Sequence, residues 1–480
     1  LNAQSVKVND VVGFEQYGIK HFLGIPYAEA PNGDKRWQPP YPVVNKNRQF
    51  DATKFGDICV QPNAKPNLNM SEDCLNLNIW TPALNKNLPV MVWFHGGGFK
   101  TGSNQVMGTT FATKGTVVVA LNYRLGPLGF LAHPSLNTEQ ANLGVLDMIA
   151  GLKWIKENIK QYGGNPNNIT IFGVSAGGLA VNLMATHSQT KGLFHKAIAQ
   201  SGYATWPLPR TKKVTQINGS PNAEKQAIAL INKTKPTLTE DKQSKKELLK
   251  IPAIDLVNAV DGFVLPIVDG ASVLEEPAVI FVNGQQNDIR LITGGNSFEG
   301  SVKPYSGISD QDYIEFLGHY YTRIKQSYEA FNDLPDNLIH QIMWGENRYL
   351  LSAHVTANAN KTKGSWLYYV DFIPNEYKGK TLGTTHGSDG KMIWAGHFSK
   401  NLEIKNVSLR LQEYWLNFAK YGSPTVKTNN KSLNWLSTEQ TKSPWLTIDH
   451  ADAHNELPFV NRLRLFEQHY LNRVKQLLNK

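Results

Sequence analysis

The chain of 480 residues is 41% hydrophobic, 10% aromatic and 18% charged, a composition that predicts a globular protein with a large core and excludes a disordered tail. Its net charge of +10 at pH 7 would suit a polyanionic partner. However, the densest basic stretches, Lys212-Lys213 and Lys242 to Lys250, are short and lack interleaved aromatic residues, so we expect no nucleic-acid partner.

Short apolar runs along the chain predict buried strands. The first two, Val6 to Phe14 and Ile19 to Tyr27, are separated by Glu15-Gln16-Tyr17-Gly18 and predict a hairpin near the N-terminus. Later runs lack polar alternation, which is typical of parallel strands covered on both faces. These runs are Pro89 to Phe94, Thr116 to Leu121, Ile169 to Phe172, Lys196 to Ala199, Arg290 to Thr293 and Trp366 to Phe372.

Helical patterns lie between several of these runs, for example over Gly144 to Asn158. Alternating strands and helices favour an α/β fold with a doubly wound sheet. Two polar, helix-prone stretches, Pro207 to Asn258 and Ser301 to Lys363, interrupt the alternation and are interpreted as cap-like insertions over the strand ends. No low-complexity linker divides the chain, so we predict a single domain over residues 1–480.

The C-terminal stretch from Leu457 to Lys480 is basic and amphipathic. Such a segment can lie on a membrane surface, but a packed terminal helix is the simpler interpretation. The sequence contains no run of 18 apolar residues, and we therefore expect no membrane-spanning helix.

A candidate nucleophile lies in Gly173-Val174-Ser175-Ala176-Gly177, between a predicted strand and a helix-prone segment from Leu179 to Thr186. A sharp strand-to-helix turn needs small neighbours so that a strained serine can project from it, and the glycines supply that room. The pattern alone is common in ordinary turns, and it becomes specific through the strand before it and the helix after it.

A second glycine-rich motif, His95-Gly96-Gly97-Gly98-Phe99, follows the predicted strand Pro89 to Phe94. Successive glycines allow backbone N–H groups to approach a developing oxyanion without obstruction by side chains. Together with the serine turn downstream, this loop predicts acyl transfer at Ser175.

With these motifs in this order, the chain resembles the type-B carboxylesterase and cholinesterase family over nearly its whole length. The resemblance implies an α/β-hydrolase fold, with a large and mostly parallel central sheet, helices on both faces, a small N-terminal β-hairpin region and helical cap insertions. The segments that carry it are Phe22 to Ala28, Ser71 to Asn78, Asn122 to Gly126, Phe172 to Gly178, Pro266 to Gly270 and Trp415 to Ala419.

The resemblance also implies the partners of Ser175. Gly295 to Gly300 is similar to the family's acid turn and places Glu299 as the carboxylate, while His386 to Asp389 is similar to its histidine turn and places His386 as the base. The chain order serine, glutamate, histidine is the order expected of this fold. His397 is the alternative base. The oxyanion donors carried over from the family are the N–H groups of Gly97, Gly98 and Ala176.

The sequence contains two cysteines, Cys59 and Cys74. Their spacing alone leaves a disulfide and two buried thiols equally open. The resemblance implies a disulfide that closes a small loop, and with it an oxidising compartment, so we expect a secreted protein, extracellular or periplasmic. Leu1 at the start of the chain is compatible with a removed signal peptide and equally with trimming.

Departures from the family pattern bear on the substrate. Cholinesterases carry a tryptophan in this disulfide loop to hold a quaternary ammonium group, whereas Val60 to Asp73 contains no aromatic residue. Many relatives have glutamate before the nucleophile, and here Val174 removes that negative charge. Trp206 resembles an acyl-pocket tryptophan and is equally well a core residue, and Ser201 is a candidate support of the triad.

These features predict a serine hydrolase that cleaves carboxylic esters through an acyl-enzyme, without a metal or an organic cofactor. The expected substrate is a small-molecule ester that is neutral or anionic rather than cationic, most simply a neutral ester with a small-to-medium acyl group. Two alternatives remain open: a lipase-like esterase on longer acyl chains, with Pro207 to Asn258 as a lid, and a non-catalytic esterase-like adhesion or binding module.

Overall fold

The computed structural model describes residues 4–44, 49–64, 66–361, 363–425, 434–442 and 444–479. Within them, thirteen strands form one mixed sheet and two short strands, β5 and β6, form a separate pair. The strands are β1 (Gln4–Val8), β2 (Val11–Gln16), β3 (Ile19–Pro26), β4 (Phe50–Asp51), β5 (Ile58–Cys59), β6 (Met70–Ser71), β7 (Asn76–Thr81), β8 (Leu88–Phe94), β9 (Val117–Leu121), β10 (Gly164–Val174), β11 (Lys196–Gln200), β12 (Arg290–Asn296), β13 (Ser365–Val370), β14 (Trp445–Ile448) and β15 (Ala453–His454).

The order of strands across the large sheet is β1-β2-β3-β7-β9-β8-β10-β11-β12-β13-β14-β15, and β4 pairs with β2. The stretch from β9 to β14 is parallel, and antiparallel strands continue it at both edges. The winding reverses at β8, because β9 lies on one side of it and β10 on the other. Open α/β sheets bind their ligands at such a switch point, outside the carboxyl ends of the strands.

The α-helices of the described residues cover both faces of this sheet. They are α1 (Thr109–Ala112), α2 (Gly126–Gly129), α3 (Leu143–Asn158), α4 (Ala176–Thr186), α5 (Ala223–Thr234), α6 (Lys245–Leu249), α7 (Ala253–Asn258), α8 (Pro277–Val282), α9 (Asp310–Leu317), α10 (Tyr321–Gln326), α11 (Asp336–Gly345), α12 (Leu351–Ala359), α13 (Ser388–Ala395), α14 (Leu402–Tyr421) and α15 (Phe459–Val474). A π-helical segment, Glu346–Leu350, connects α11 to α12.

Strand β8 is an example of a strand whose sequence is apolar throughout. Val90 and Val92 face the cluster that contains Met148 and Leu152 of α3, whereas Met91 lies in a second cluster with residues of α14. Because both faces of the strand are buried, no position is left for a polar alternation. The predicted runs after residue 88 are therefore confirmed as strands, with ends shifted by a few residues.

The N-terminal region differs from its sequence prediction in one respect. The hairpin with its turn at Tyr17-Gly18 is confirmed, between β2 and β3. The run from Val6 to Phe14, however, contains a further turn and forms β1 and β2, which pair with each other. Asn9 in this turn has a φ of 50°, a conformation that asparagine tolerates better than most residues. The sequence prediction missed this turn.

The two stretches interpreted as cap-like insertions follow β11 and β12 in the chain. Pro207 to Asn258 contains α5, α6 and α7, and the described part of Ser301 to Lys363 contains α9 to α12, with no strand in either. That they act as a cap, and that residues 1–480 form one domain, stays a prediction. The C-terminal stretch forms α15, which buries Leu463 and Phe466 as expected of a packed helix. None of the helices described is long and apolar enough to span a membrane.

Candidate active site

Ser175 lies at the tip of the turn between β10 and α4. Its φ of 59° and ψ of −119° are strained for a residue with a side chain. The Ser175 N–H donates to the carbonyl oxygen of Gln200 at 2.8 Å, and its own carbonyl accepts from the N–H of Leu179 at 2.9 Å. The neighbouring strand and the helix therefore hold the serine in this conformation.

The glycines around Ser175 are required by close backbone contacts. A Cβ atom on Gly173 would lie 2.5 Å from the carbonyl oxygen of Phe94, and one on Gly177 would overlap the same oxygen. A Cβ on Gly178 would overlap the carbonyl oxygen of Gln200. The turn is thus pressed between the ends of β8 and β11, which explains why small residues surround the serine.

The glycine loop after β8 lies beside this turn. A Cβ on Gly96 would be 3.5 Å from Cβ of Ser175. Gly97 and Gly98 have φ values of 111° and 62°, which residues with side chains rarely adopt. Ala176 is the first residue of α4, where the helix does not use the backbone N–H. The assignment of Gly97, Gly98 and Ala176 as oxyanion donors stays a prediction.

His95, at the start of the glycine loop, is held in place by Tyr123. Its ring stacks on Tyr123 with 4.4 Å between centroids, and the Tyr123 hydroxyl donates to the His95 carbonyl oxygen at 2.6 Å. Complete burial lowers the pKa of His95 to about 4, so this imidazole is neutral at physiological pH. His95 is therefore a structural residue of the loop and carries no proton to the site at neutral pH.

Glu299 and His386 are in direct contact. Oε2 of Glu299 forms a hydrogen bond with Nδ1 of His386, and the two side chains are only 1% and 8% exposed. The backbone N–H of His386 donates to Oγ of Ser301 at 3.0 Å, and the Tyr349 ring lies 4.6 Å from the imidazole. Since Nδ1 is engaged by the carboxylate, Nε2 is the nitrogen left to act as a base.

The second oxygen of Glu299 is held by three donors. Oε1 accepts from Oγ of Ser201 at 2.5 Å, from the backbone N–H of Asn296 at 2.6 Å and from Nδ2 of Asn296 at 3.1 Å. Glu299, Ser201 and Asn296 are all buried. These contacts fix the carboxylate in one orientation toward the imidazole. That Ser201 supports a catalytic triad stays a prediction.

A second buried carboxylate, Asp389, is connected to Glu299 through the side chain of Asn296. It accepts from the hydroxyl of Tyr368 at 2.6 Å, from Nε2 of Gln200 at 3.0 Å and from Nδ2 of Asn296 at 3.1 Å. The sequence analysis placed Asp389 and Asn296 in family motifs but gave neither a role. Only their position relative to Glu299 could have revealed this network, and the sequence contains no local signal for it.

The histidine turn packs against the serine turn. A Cβ on Gly390, in the first turn of α13, would lie 3.3 Å from the side chain of Val174, which precedes Ser175. The structure therefore brings the segments of Ser175, Glu299 and His386 to one edge of the sheet. The alternative base, His397, hydrogen-bonds through Nδ1 to Nε2 of Gln412 at 3.0 Å and makes no described contact with this group.

Trp206 is buried close to this edge, where it belongs to an aromatic cluster. Its ring lies 5.4 Å from Phe316 and 5.8 Å from Trp344. The guanidinium of Arg348 lies 4.7 Å from the Trp206 ring. Whether Trp206 and Val174 contact the substrate stays a prediction. The predicted disulfide between Cys59 and Cys74 is present.

Comparisons with known proteins agree with this arrangement. A family model described as the carboxylesterase family matches residues 5–344 and 312–465. The chain is 31% identical to para-nitrobenzyl esterase of Bacillus subtilis (strain 168), with 95% of this chain and 96% of that protein covered. It is 37% identical to fumonisin B1 esterase of Sphingopyxis macrogoltabida, covering 89% and 83%. It is 28% identical to cholinesterase of Mus musculus, covering 90% and 80%.

Solved structures are also similar to this chain over nearly its whole length. A structure of PNB esterase superposes with a TM-score of 0.80 at 28% identity and covers 97% of this chain and 100% of that one. The carboxylesterase EST55 of Geobacillus stearothermophilus gives a TM-score of 0.77 at 26% identity, covering 96% and 99%. The similarity thus extends over the whole sheet and its helices.

Proposed function

Because the chain belongs to the carboxylesterase family, we propose that it hydrolyses carboxylic esters through an acyl-enzyme intermediate on Ser175. It is a carboxylic ester hydrolase with the α/β-hydrolase fold that the sequence predicted. The observation that carries the proposal for the site is the hydrogen bond between Glu299 and His386 at the edge of the sheet where Ser175 lies.

In the proposed first step, Nε2 of His386 accepts the hydroxyl proton of Ser175 while Oγ attacks the ester carbonyl carbon. Glu299 keeps the imidazole oriented through Nδ1 and stabilises its positive charge. His386 then returns the proton to the departing alkoxide, and the alcohol leaves. His386 next accepts a proton from a water molecule as this water attacks the acyl carbon. The proton then passes to Oγ of Ser175, which releases the carboxylic acid and restores the serine hydroxyl.

The negative charge of each tetrahedral intermediate needs hydrogen-bond donors. We assign this role to the backbone N–H groups of Gly97, Gly98 and Ala176. The support for it is that the glycine loop lies beside Ser175 and that α4 begins at Ala176. The N-terminus of a helix also carries a partial positive charge, which favours an oxyanion at this point.

A fluorophosphonate probe tests the nucleophile. We expect the folded protein to be labelled covalently at one residue and Ser175→Ala to remain unlabelled. Ser188→Ala, which removes an exposed hydroxyl elsewhere, is the matched control and should label like the wild type. Labelling of Ser175→Ala at the wild-type rate would refute the assignment.

For the substrate we propose an ester with a small-to-medium acyl group. The support is that Trp206, which resembles an acyl-pocket tryptophan, is packed against the rings of Phe316 and Trp344. A panel of p-nitrophenyl esters from acetate to palmitate, with acetylthiocholine beside it, measures this preference. We expect kcat/KM to peak at short and medium chains. A maximum at palmitate would favour the lipase-like alternative, and a preference for acetylthiocholine would contradict the argument from Val174 and the aromatic-free loop.

We further propose that the protein is secreted. The support is the disulfide between Cys59 and Cys74, since disulfides persist in oxidising compartments and are rare in the cytosol. The test is immunodetection of the protein in the medium or periplasm of cells that produce it naturally. Detection in the cytosolic fraction alone would contradict this proposal.

A further inference from the structure

Arg348 is a buried cation beside the proposed site. Only 2% of the residue is exposed, and its Nε atom is sealed from solvent without a hydrogen-bond partner. It lies in the π-helical segment Glu346–Leu350. Such local departures from the α-helix occur frequently at functional sites. A buried polar group that the protein leaves unsatisfied requires an explanation.

The surroundings of Arg348 are aromatic. Its guanidinium carbon lies within 6 Å of five ring centroids, a geometry in which each ring attracts the cation modestly. The positive charge of Arg348 acts on the phenols of Tyr203 and Tyr349, and burial raises the pKa of Tyr203 to about 12 against this influence. The five distances are 4.1 Å to Tyr203, 4.7 Å to Trp206, 5.9 Å to Phe263, 5.2 Å to Trp344 and 5.6 Å to Tyr349.

Arg348 differs from the other deeply buried arginines of the structure in lacking a carboxylate. Among the described residues, none places a carboxylate oxygen within 4.0 Å of its nitrogens. The neighbouring Glu346 is bound by Arg462 instead. The buried arginine side chains that do have a carboxylate partner are Arg36 with Glu72, Arg124 with Asp147, Arg210 with Glu275 and Arg473 with Glu276.

Two contacts connect this cation to the reacting groups. The ring of Phe263, one wall of the cluster, lies 2.6 Å from where a Cβ on Gly98 would be, so it abuts the proposed oxyanion loop. The ring of Tyr349, another wall, lies 4.6 Å from the imidazole of His386. Phe263 thus contacts both Arg348 and the glycine loop, and Tyr349 contacts both Arg348 and the base.

Removing a guanidinium from water is costly, and aromatic rings offset only part of that cost. A carboxylate would offset the rest, because its two oxygens match the fork of guanidinium donors. We propose that Arg348 binds a carboxylate carried by the substrate, so that the preferred esters have a second, free carboxylate near the ester carbonyl. This proposal rests on the proposed function and replaces the neutral acyl ester expected from the sequence.

Two matched pairs of esters test it, one with the carboxylate on the acyl part and one with it on the alcohol part. Monoethyl glutarate is compared with ethyl pentanoate, and 4-acetoxybutanoate with butyl acetate, by measuring kcat/KM. We expect wild-type protein to prefer the charged member of at least one pair, and that pair identifies which side of the ester faces Arg348. Arg348→Met should reduce the charged-to-neutral ratio by about 10- to 100-fold, as expected for a lost charge-assisted hydrogen bond.

Arg323→Met is the matched control, because it removes an exposed arginine and changes the net charge equally. It should leave both ratios unchanged. A wild-type preference for the neutral member of both pairs, or a ratio unaffected by Arg348→Met, would overturn the proposal while leaving the esterase activity intact. Absence of hydrolysis of all four esters together with no probe labelling of Ser175 would instead refute the proposed function, and this proposal with it.

A second measurement does not depend on the folding of Arg348→Met. In Ser175→Ala, titration calorimetry compares the binding of monoethyl glutarate with that of ethyl pentanoate, and of 4-acetoxybutanoate with that of butyl acetate. We expect the charged ester of the preferred pair to bind about tenfold more tightly or better. Equal binding within both pairs would contradict a carboxylate site at Arg348.

Discussion

Asn296 connects two buried carboxylates of the candidate site. Its Nδ2 atom donates to Oε1 of Glu299 at 3.1 Å and to Oδ1 of Asp389 at 3.1 Å. Ser201 adds a donor to the first carboxylate, and Tyr368 adds one to the second. Every described partner of Glu299 is therefore a donor, so the site accommodates an acceptor on both oxygens at this position.

Glu299→Gln tests this requirement. If the amide turns its NH2 group toward His386, Nδ1 must accept and the ring proton moves to Nε2, which then cannot act as the base. If it turns the NH2 group toward the donors on Oε1, donors face donors. We expect kcat to fall by about 10³- to 10⁴-fold, comparable to the loss when the acid of a serine triad becomes an amide. Steady-state kinetics on p-nitrophenyl acetate measures it. The exposed Glu329→Gln should keep wild-type kinetics, and a fall of less than tenfold in Glu299→Gln would contradict the role given to this residue.

At the level of residues, the sequence could identify those whose function depends on local geometry. Ser175 and the glycines around it were identified in this way, since their spacing reflects close backbone contacts. Glu299 and His386 required the family resemblance, because their partners are distant in sequence. Arg348 carried no signal at all. The sequence Glu346-Asn347-Arg348 predicts a polar, exposed helical surface. Arg348 is buried instead because distant segments contribute the rings around it.

Among the elements, helix α15 shows how ion pairs hold a helix near the end of the described residues in place. Arg473 near its C-terminus forms two hydrogen bonds with the carboxylate of Glu276, and the two side chains are 4% and 0% exposed. Arg462 in the same helix binds Glu346 of the π-helical segment. The helix is therefore held by two arginine–glutamate pairs in addition to its apolar face.

Arg473→Met should strongly destabilise the protein. The substitution leaves the carboxylate of Glu276 buried without its cation, for which we expect a loss of about 3–5 kcal/mol in the free energy of unfolding. Urea unfolding followed by tryptophan fluorescence measures it. The double variant Arg473→Met/Glu276→Leu should recover most of the loss because no charge remains buried. A single variant as stable as the exposed control Lys475→Met would show that the pair is not needed.

Elements whose burial pattern is simple were predicted well, and those with buried polar residues were not. The predicted parallel strands are continuous apolar runs. Strand β7 was missed as a strand because it begins Asn76-Leu77-Asn78 and reads as polar. Asn78 is nevertheless completely buried, accepting from the Gly24 N–H at 2.8 Å and donating to the Asn104 carbonyl at 3.0 Å. Only the folded sheet supplies these partners.

For the whole molecule, buried histidines predict a sensitivity to acid. Burial lowers the pKa of His95, His354 and His469 to about 4, from about 6.5 in the unfolded chain. Between these two values the unfolded state binds more protons than the folded state, so stability falls as pH decreases from about 6.5 to about 4. Each histidine contributes up to about 3 kcal/mol to this loss.

Unfolding by urea at a series of pH values measures this dependence. We expect the midpoint to decrease steadily below pH 6.5 and His354→Gln to flatten the decrease, since glutamine does not titrate. His319→Gln, at an exposed position, is the control and should follow the wild-type curve. A midpoint independent of pH between 6.5 and 4 would contradict the burial of these histidines in uncharged form.

The order of strands also has a consequence for the newly made chain. From β10 onward, each strand of the parallel stretch pairs with the strand that precedes it in the sheet and in the chain. Ser175 has both of its neighbouring strands, β8 and β11, once residue 200 has left the ribosome, whereas His386 is still to be synthesised. At about 5–20 residues per second the base follows about 10–40 seconds later. A nascent chain in which the sheet forms up to β11 therefore has the serine turn but not its base, and we expect it to react only after His386 has been synthesised.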